Sequence, residues 1–183
     1  MAIDVRCAIR FLRAHAADHG LDPARFAGIG HSAGGHLVAM AGLVRDTEWV
    51  DGSVPRDQPA ALRSVVGLSG AYDLTAMLSD DDGPPFGALA ELLPGTLDGL
   101  RQRARAASPL THVRPDAPPF LLCHGDMDET CPPGQAEAFA DALRAAGNHD
   151  VTLRVFEGAG HGVAGEEGLM ELVDDFLIRT LLE

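Results

Sequence analysis

Lysine is absent from this sequence of 183 residues. The count of Lys plus Arg is 14, so all of the basic residues are arginine. Without a lysine amine, the chain offers no Schiff-base nucleophile, no Ser–Lys dyad and no P-loop lysine. These three kinds of site are therefore excluded.

Positive charge is also scarce relative to negative charge. The chain has 27 acidic residues against 14 basic ones, which gives a formal net charge of −13 at pH 7. Such a charge repels the phosphate backbone of nucleic acids and the surface of anionic lipids. We therefore expect neither a nucleic acid nor a membrane as partner.

Cysteine is rare, occurring only at Cys7, Cys123 and Cys131. An odd number without paired spacing favours free thiols and a reducing compartment, and we interpret Cys123 and Cys131 as packing residues.

No apolar run approaches the roughly 20 residues that a membrane span needs. The first residues also lack the charged-then-apolar layout of a signal peptide. The sequence thus predicts a cytoplasmic protein.

Helical and strand-like patterns alternate along the chain. The apolar spacing predicts helices over residues 3–18, 33–44, 135–146 and 166–182. Short apolar runs predict strands over residues 25–30, 62–68, 119–123 and 151–156. This alternation indicates right-handed crossovers and a mostly parallel sheet of about four strands with helices on both faces. The predicted fold class is therefore α/β.

One region departs from this alternation. Residues 79–118 are rich in Gly, Pro and Asp, which predicts an insertion-like loop region with short helices near 86–92 and 98–106. The chain contains no internal repeat and no composition shift typical of a linker. We therefore expect one domain over residues 1–183.

The pattern Gly-x-Ser-x-Gly occurs at residues 30–34, between a predicted strand and a predicted helix. In such a strand-to-helix turn the serine has a strained backbone, and the glycines let neighbouring backbone approach closely. The pattern therefore predicts Ser32 as a nucleophile. Because the following helix directs its dipole and first N–H at an oxyanion, Ala33, Gly34 and His31 are the predicted oxyanion and binding residues.

A serine nucleophile needs a base, and the base needs an orienting acid. After this kind of turn, the two follow in the order Asp or Glu, then His. Asp126 and Asp128 come after the third predicted strand, and His161 comes after the fourth. Each lies where a parallel sheet binds its ligands. We predict a catalytic triad of Ser32, Asp128 and His161, with Asp126 as the alternative acid that more often caps its turn.

Other polar side chains are interpreted as structural. We expect His31 and His36 to pack or cap, and His124 to be a turn residue. No His-x-x-x-His or Cys/His cluster has ligand spacing, so we expect no metal and no other cofactor. The arginines at 101–105 are expected to form a solvated helix face, with substrate binding as the minor alternative.

Five motifs together resemble the α/β-hydrolase esterase/lipase group. They are Gly-His-Ser-Ala-Gly-Gly-His at 30–36, Ser-Gly-Ala-Tyr-Asp-Leu at 69–74, Ser-Pro-Leu at 108–110, His-Gly-Asp-Met-Asp-Glu-Thr-Cys-Pro at 124–132 and Gly-Ala-Gly-His-Gly at 158–162. Within the group they are most similar to acetyl-esterases, feruloyl-esterase-like and hormone-sensitive-lipase-like carboxylesterases. In that family His-Gly-x-x-Asp carries the acid at its last position, which favours Asp128.

The resemblance covers only the later part of the family's catalytic domain. Family members carry further N-terminal strands and a His-Gly-Gly-Gly-like loop that supplies oxyanion donors, and no such loop precedes Ser32 here. Relative to the family, the chain therefore resembles an N-terminally truncated domain. We expect the strand near residues 25–30 to have an unpaired edge, covered in a homodimer or higher homo-oligomer.

The resemblance implies a serine carboxylesterase that hydrolyses a small-molecule ester through an acyl-enzyme. Short acyl groups are expected because no sizeable cap segment is visible in the sequence. Two other functions stay open. One is a hydrolase remnant that acts as an interaction module, and the other is an amidase, formamidase or peptidase with the same triad.

Overall fold

The computed structural model describes residues 1–45, 58–78 and 97–183. Within them, four parallel strands form one sheet in the order β1-β2-β3-β4. The strands are β1 Ala27–His31, β2 Ser64–Leu68, β3 Phe120–Gly125 and β4 Val151–Phe156. The predicted α/β class and parallel sheet are confirmed.

Helices precede the first strand, connect the strands and follow the last one. In the described residues they are α1 Ala2–Ala14, α2 Ala33–Leu43, α3 Leu97–Ala107, α4 Gly134–Ala145 and α5 Leu169–Leu182. The helix predicted near 98–106 is α3, whereas the one predicted near 86–92 lies outside the described residues, as do residues 79–96 of the predicted loop region. None of the helices described is both long and apolar enough to cross a membrane.

The ends of two helices differ from the prediction. The helix predicted over 3–18 ends at Ala14, and a short 3-10 turn after it is closed by Gly20, whose φ is 64°. The helix predicted from residue 166 begins only after Gly168, whose φ is 77°. Glycine adopts this left-handed conformation without steric cost, so the 3-10 turn ends at Gly20 and α5 begins after Gly168.

The two central strands are buried on both faces, as expected for a parallel sheet covered by helices. Side chains alternate along each strand, so Val65 and Phe120 face α1, α2 and α4, where Phe139 meets them. Val66 and Leu121 face the other side, where α5 packs. The sheet therefore has helices on both faces, and its strand ends lie between the two layers.

Arginine side chains join α1 to the end of α2. The buried Arg6 donates from Nη1 to the Val44 carbonyl at 2.5 Å and from Nη2 to the Arg45 carbonyl at 3.0 Å. Arg10 donates from Nε to the carbonyl of Gln58 at 3.1 Å. The last carbonyls of a helix lack intrahelical donors, and the planar guanidinium can satisfy two of them at once. Arg6 thus joins α1 to the C-terminal end of α2, and Arg10 joins α1 to the residues that precede β2.

Strand β1 lies at the edge of the described sheet, as the sequence predicted. It pairs with β2 on one side and with no other described strand. Its Ile29 side chain is 51% exposed, although α5 covers the same face of the sheet at β2 and β3. Within the described residues, β1 therefore combines a side without a strand partner and an exposed apolar side chain.

Candidate active site

Ser32 lies on a sharp turn between β1 and α2. Its backbone has φ 55° and ψ −119°, and α2 begins at the next residue. The turn is possible because Gly30 has no side chain: a Cβ there would lie 2.2 Å from the carbonyl oxygen of Gly34. The strained backbone and the close approach are those that the Gly-x-Ser-x-Gly pattern predicted.

His161 lies in the loop after β4 and reaches back to the serine. Its Nε2 is 2.8 Å from Ser32 Oγ, and its Nδ1 is 2.8 Å from Asp128 Oδ2. Because a carboxylate only accepts, Nδ1 carries the hydrogen and Nε2 accepts from the serine hydroxyl. The structure thus brings the three predicted residues into one hydrogen-bonded chain at the carboxyl ends of β1, β3 and β4.

Asp128 is held by donors on both of its oxygens. Its side chain is fully buried, and Oδ1 accepts the N–H groups of Thr130 at 2.9 Å and Cys131 at 2.8 Å. Burial by itself would raise the pKa of Asp128, but the N–H of Cys131, the His161 side chain and the N–H of Thr130 hold this pKa below its ordinary value. The carboxyl is therefore ionised when it meets His161.

Asp126, the alternative acid, has a different role. Its Oδ1 accepts the N–H of Gly158 at 2.7 Å, which ties the loop after β3 to the loop after β4. Gly158 itself has a φ of 74°, a conformation that suits glycine. In the structure, Asp128 and not Asp126 contacts His161.

The predicted oxyanion and binding residues surround Ser32. Ala33 and Gly34 are the first two residues of α2, where backbone N–H groups have no partner inside the helix. His31 is exposed and donates from Nε2 to the carbonyl of His161 at 2.8 Å, with the two rings 4.9 Å apart. The His31 side chain therefore supports the loop that carries the predicted base.

The interpretation of His124 as a turn residue is wrong. The strand that contains it is longer than predicted, and His124 is a fully buried residue of β3. Its Nε2 lies 3.1 Å from Asp128 Oδ2. The sequence signal that was overlooked is the apolar run before it, which continues the strand up to Gly125.

His36 connects the serine turn to the loop after β2. Its Nδ1 donates to the carbonyl of Ala71 at 2.9 Å. Burial lowers the pKa of His36, and the hydrogen bond to Ala71 opposes this shift only in part. His36 thus packs as a neutral side chain between the two loops.

The cysteines near the site are unsuited to nucleophilic chemistry. Burial raises the pKa of Cys123 to about 12, which the nearby Arg154 only partly offsets. Burial and the charge of Asp128 raise the pKa of Cys131 to about 12 as well. Both thiols therefore stay protonated and pack in the core, since the thiolate is the reactive form.

Side chains elsewhere in the described residues do not form a metal centre. Across residues 1–45, 58–78 and 97–183, no cluster of three or more His, Cys, Asp or Glu could hold a metal ion. On α3, Arg101 and Arg105 are exposed, as expected for a solvated face. They line an open cleft of about 560 Å³ with Asp73 and Thr111.

Comparison with known proteins gives matches over most of the chain. Residues 1–143 match the family model described as BD-FAE. The esterase LipC of Mycobacterium tuberculosis (strain ATCC 25618 / H37Rv) is 35% identical over 165 residues, which covers 87% of this chain and 40% of LipC. A solved structure titled as a truncated form of a carbohydrate esterase from gut microbiota is 27% identical with a TM-score of 0.85, covering 100% of this chain and 68% of that one.

Esterase 2 of Thermogutta terrifontis is another structural neighbour. Its butyrate-bound form is 32% identical with a TM-score of 0.75, covering 97% of this chain and 64% of that one. Its form phosphorylated by paraoxon is 28% identical with a TM-score of 0.76, covering 97% of this chain and 62% of that one. The chain spans 40% of the length of LipC, less than half of that curated relative.

Proposed function

The chain belongs to the BD-FAE family, and we propose that it is a serine carboxylesterase in which Ser32, His161 and Asp128 form the catalytic triad. The family match, the esterase relatives and the structural neighbours confirm the resemblance to α/β-hydrolase esterases that the sequence motifs indicated. The observation that carries the proposal is the hydrogen-bonded chain from Ser32 Oγ through His161 to Asp128, with both distances at 2.8 Å. A hydroxyl, a base and an orienting acid in this order are the parts that acyl transfer requires.

In the first step, Ser32 Oγ adds to the carbonyl carbon of the ester while its proton passes to His161 Nε2. The carbonyl oxygen becomes an oxyanion, which the N–H groups of Ala33 and Gly34 and the dipole of α2 stabilise. Asp128 stabilises the imidazolium that has formed. The bond to the alcohol then breaks, His161 returns the proton to the departing oxygen, and the acyl group stays on Ser32.

In the second step, water takes the place of the alcohol. His161 accepts a proton from the water as its oxygen adds to the acyl carbon, and a second oxyanion forms at the same N–H groups. When this intermediate collapses, Ser32 leaves with the proton from His161 and a carboxylic acid is released. The cycle therefore needs no metal and no redox partner.

We propose short acyl esters as the substrates. The Thermogutta terrifontis esterase, which shares this fold and is 32% identical in sequence, has a solved structure with butyrate bound. The exposed positions of Ala33 and His31 beside Ser32 leave the nucleophile accessible from the strand ends. A small ester can reach a serine in this position without a deep acyl tunnel.

We further propose that two or more copies of the chain associate through β1. On its outer side β1 pairs with no other strand of the described part of the chain, so its outward N–H and C=O groups lack a strand partner there, next to the exposed Ile29. A long unpaired strand edge is a template for pairing with another chain. A second copy would satisfy these groups and cover the apolar side chain.

The proposed activity is tested by comparing wild type with Ser32→Ala in hydrolysis of p-nitrophenyl acetate and butyrate. Loss of a nucleophile that acts as part of a triad lowers kcat by about 10⁴- to 10⁶-fold. Paraoxon, which phosphorylates the neighbouring Thermogutta esterase, should inactivate wild type and add one diethyl phosphoryl group to the peptide that contains Ser32. Equal rates of hydrolysis by wild type and Ser32→Ala would disprove the proposal.

Ser69 provides a matched control. It ends the neighbouring strand β2 with a similar left-handed backbone, φ 48°. Its side chain is buried, and its Oγ has no hydrogen-bond partner among the described residues. We expect Ser69→Ala to keep hydrolysis within about threefold of wild type and to retain paraoxon labelling, because a buried hydroxyl cannot meet the ester.

A further inference from the structure

His124 is a buried titratable side chain that the steps above do not use. It lies in β3, immediately before the loop that carries Asp128, and is fully shielded from solvent. Burying an imidazole costs free energy unless its polar atoms are satisfied. The hydrogen-bond partners of the His124 ring nitrogens therefore indicate the role of this side chain.

Both contacts of His124 are made by Nε2. This nitrogen is 2.7 Å from the carbonyl oxygen of Cys131 and 3.1 Å from Asp128 Oδ2. Both neighbours are acceptors, so the hydrogen is on Nε2, which donates it to the Cys131 carbonyl and lies beside Asp128 Oδ2. Nδ1 has no hydrogen-bond partner among the described residues, which an unprotonated nitrogen tolerates better than an N–H would.

This contact adds an imidazole to the surroundings of the Asp128 carboxylate. Oδ1 accepts two backbone N–H groups, those of Thr130 and Cys131. Oδ2 faces two imidazoles, with His161 Nδ1 at 2.8 Å and His124 Nε2 at 3.1 Å. The oxygen that orients the predicted base thus lies in contact with a second histidine.

We propose that His124 is a positioning residue for the triad acid. Its Nε2–H holds the Cys131 carbonyl so that the acid loop keeps its shape, and its ring lies against Asp128 Oδ2 and so keeps this oxygen where the Nδ1–H of His161 meets it. The inference rests on the proposed function, because it assigns His124 to the same triad. A side chain that only filled space at this position would not need a donor directed at the acid loop.

The test compares two substitutions at the same site. His124→Leu keeps an apolar side chain of similar size and removes the donor, whereas His124→Gln keeps an N–H at about the reach of Nε2. With p-nitrophenyl butyrate, we expect His124→Leu to lower kcat about tenfold to hundredfold, as for a buried acceptor that loses its donor. KM should stay within about twofold, and His124→Gln should restore most of kcat.

Leu122→Ala controls for damage to the core. Leu122 is also fully buried in β3 but lies in the apolar cluster between the sheet and α4. We expect Leu122→Ala to lower the melting temperature without changing kcat below that temperature. If His124→Leu does not fold, His124→Asn replaces it, because its shorter amide does not reach both acceptors and should lose activity to the same extent.

A second measurement does not depend on catalysis. The hydrogen-bonded Nδ1–H proton of His161 should give a low-field ¹H resonance in the resting protein, assigned by its absence from His161→Gln. We expect this resonance in wild type and in His124→Gln, and its broadening or upfield shift in His124→Leu. If wild type hydrolyses no ester, the proposed function fails while this comparison still decides the role of His124.

Two results would overturn the inference. One is a folded His124→Leu protein with the kcat and the His161 resonance of wild type. The other is a folded His124→Gln protein that loses both to the same extent as His124→Leu, since the retained donor would then make no difference.

Discussion

At the scale of single residues, the histidines around the candidate site are held by backbone carbonyls. His36 donates to the carbonyl of Ala71 at 2.9 Å, and His31 donates to the carbonyl of His161 at 2.8 Å. Each bond uses one ring nitrogen and so determines which nitrogen carries the hydrogen. Side chains held in this way position the loops around Ser32 before any substrate arrives.

His36 should make the stability of the protein depend on pH. Its pKa is lowered in the folded state by burial, so the unfolded chain binds a proton more readily. Stability therefore rises with pH in this range, and it should fall as the pH decreases through about 6.5, the unperturbed value. We expect His36→Asn, which keeps a donor near the Nδ1 position, to lose less stability than wild type between pH 7.5 and pH 5.5.

Urea unfolding at both pH values measures this difference. His149→Asn is the control for the same substitution at an exposed histidine. If His36→Asn and wild type lose the same free energy of unfolding over this range, burial of His36 does not contribute to acid sensitivity.

At the scale of elements, two neighbouring strands end in the same way. Ser32 after β1 and Ser69 after β2 have φ values of 55° and 48°. Their N–H groups donate to the carbonyls of Leu68 and Cys123, each at 2.8 Å, on the next strand. The sheet pairing therefore continues one residue beyond each strand and then turns sharply. This extra pairing fixes where the first turn of α2 begins.

Gly30→Ala should disrupt the junction between β1 and α2. A Cβ at Gly30 would lie 2.2 Å from the Gly34 carbonyl oxygen and 2.7 Å from the Gly35 nitrogen. Both are backbone atoms, so α2 would have to move away from β1. We expect a loss of about 1–3 kcal/mol in the free energy of unfolding, as for other overpacked sites.

Gly34→Ala is the matched substitution within the same motif. No atom lies within 4 Å of a Cβ built at Gly34, and alanine favours the helical conformation over glycine by up to about 1 kcal/mol. We expect its free energy of unfolding in urea to equal or exceed that of wild type. Equal losses in the two variants would show that close packing at Gly30 is not what the junction depends on.

At the scale of the whole molecule, net charge opposes the proposed association of two copies, whereas the edge of the sheet at β1 favours it. Each copy carries a formal net charge of −13 at pH 7, so two copies repel at long range. Association through β1 must therefore draw on strand pairing and on apolar contact at Ile29. Both are short-range interactions, whereas the repulsion is screened by salt.

Light scattering coupled to size exclusion should give a dimer or a larger species, more so at 0.5 M than at 0.05 M NaCl. Ile29→Lys should shift the protein toward monomer, because a charged side chain on an edge strand opposes pairing. Ile178→Lys on α5 is the control, since Ile29 and Ile178 are each 51% exposed. A stable monomer at micromolar concentration, or equal effects of the two substitutions, would contradict association through β1.

Much of the fold could be predicted because its signals are local. The strand runs at 62–68 and 151–156 and the helix at 135–146 lie within a few residues of the observed elements, since hydrophobic period and glycine position act over short distances. The Gly-x-Ser-x-Gly turn was predictable for the same reason. The ends of helices were harder to predict, because a glycine in the left-handed conformation, such as Gly168, determines where a helix begins.

The surroundings of Asp128 could not be predicted in the same way. His124 is four residues from Asp128 in sequence, but its contact depends on β3 running to Gly125 and on the loop folding back to Cys131. The buried Arg6 likewise reaches carbonyls 38 positions away. Such contacts arise from packing between elements, which no short sequence window records.

The sequence by itself determined the parallel α/β order, the strained serine turn and the candidate acid and base, because each depends on residue types at short spacing. The sequence favoured Asp128 over Asp126 as the acid, and the tertiary structure added the contact between Asp128 and His161. Only the tertiary structure decided that a second histidine lies beside the same carboxylate oxygen. The physical reason is that parallel strands bring their carboxyl ends to one edge, where residues distant in sequence become neighbours. Hydrogen-bond distances at that edge, which the order of residues does not contain, then select among them.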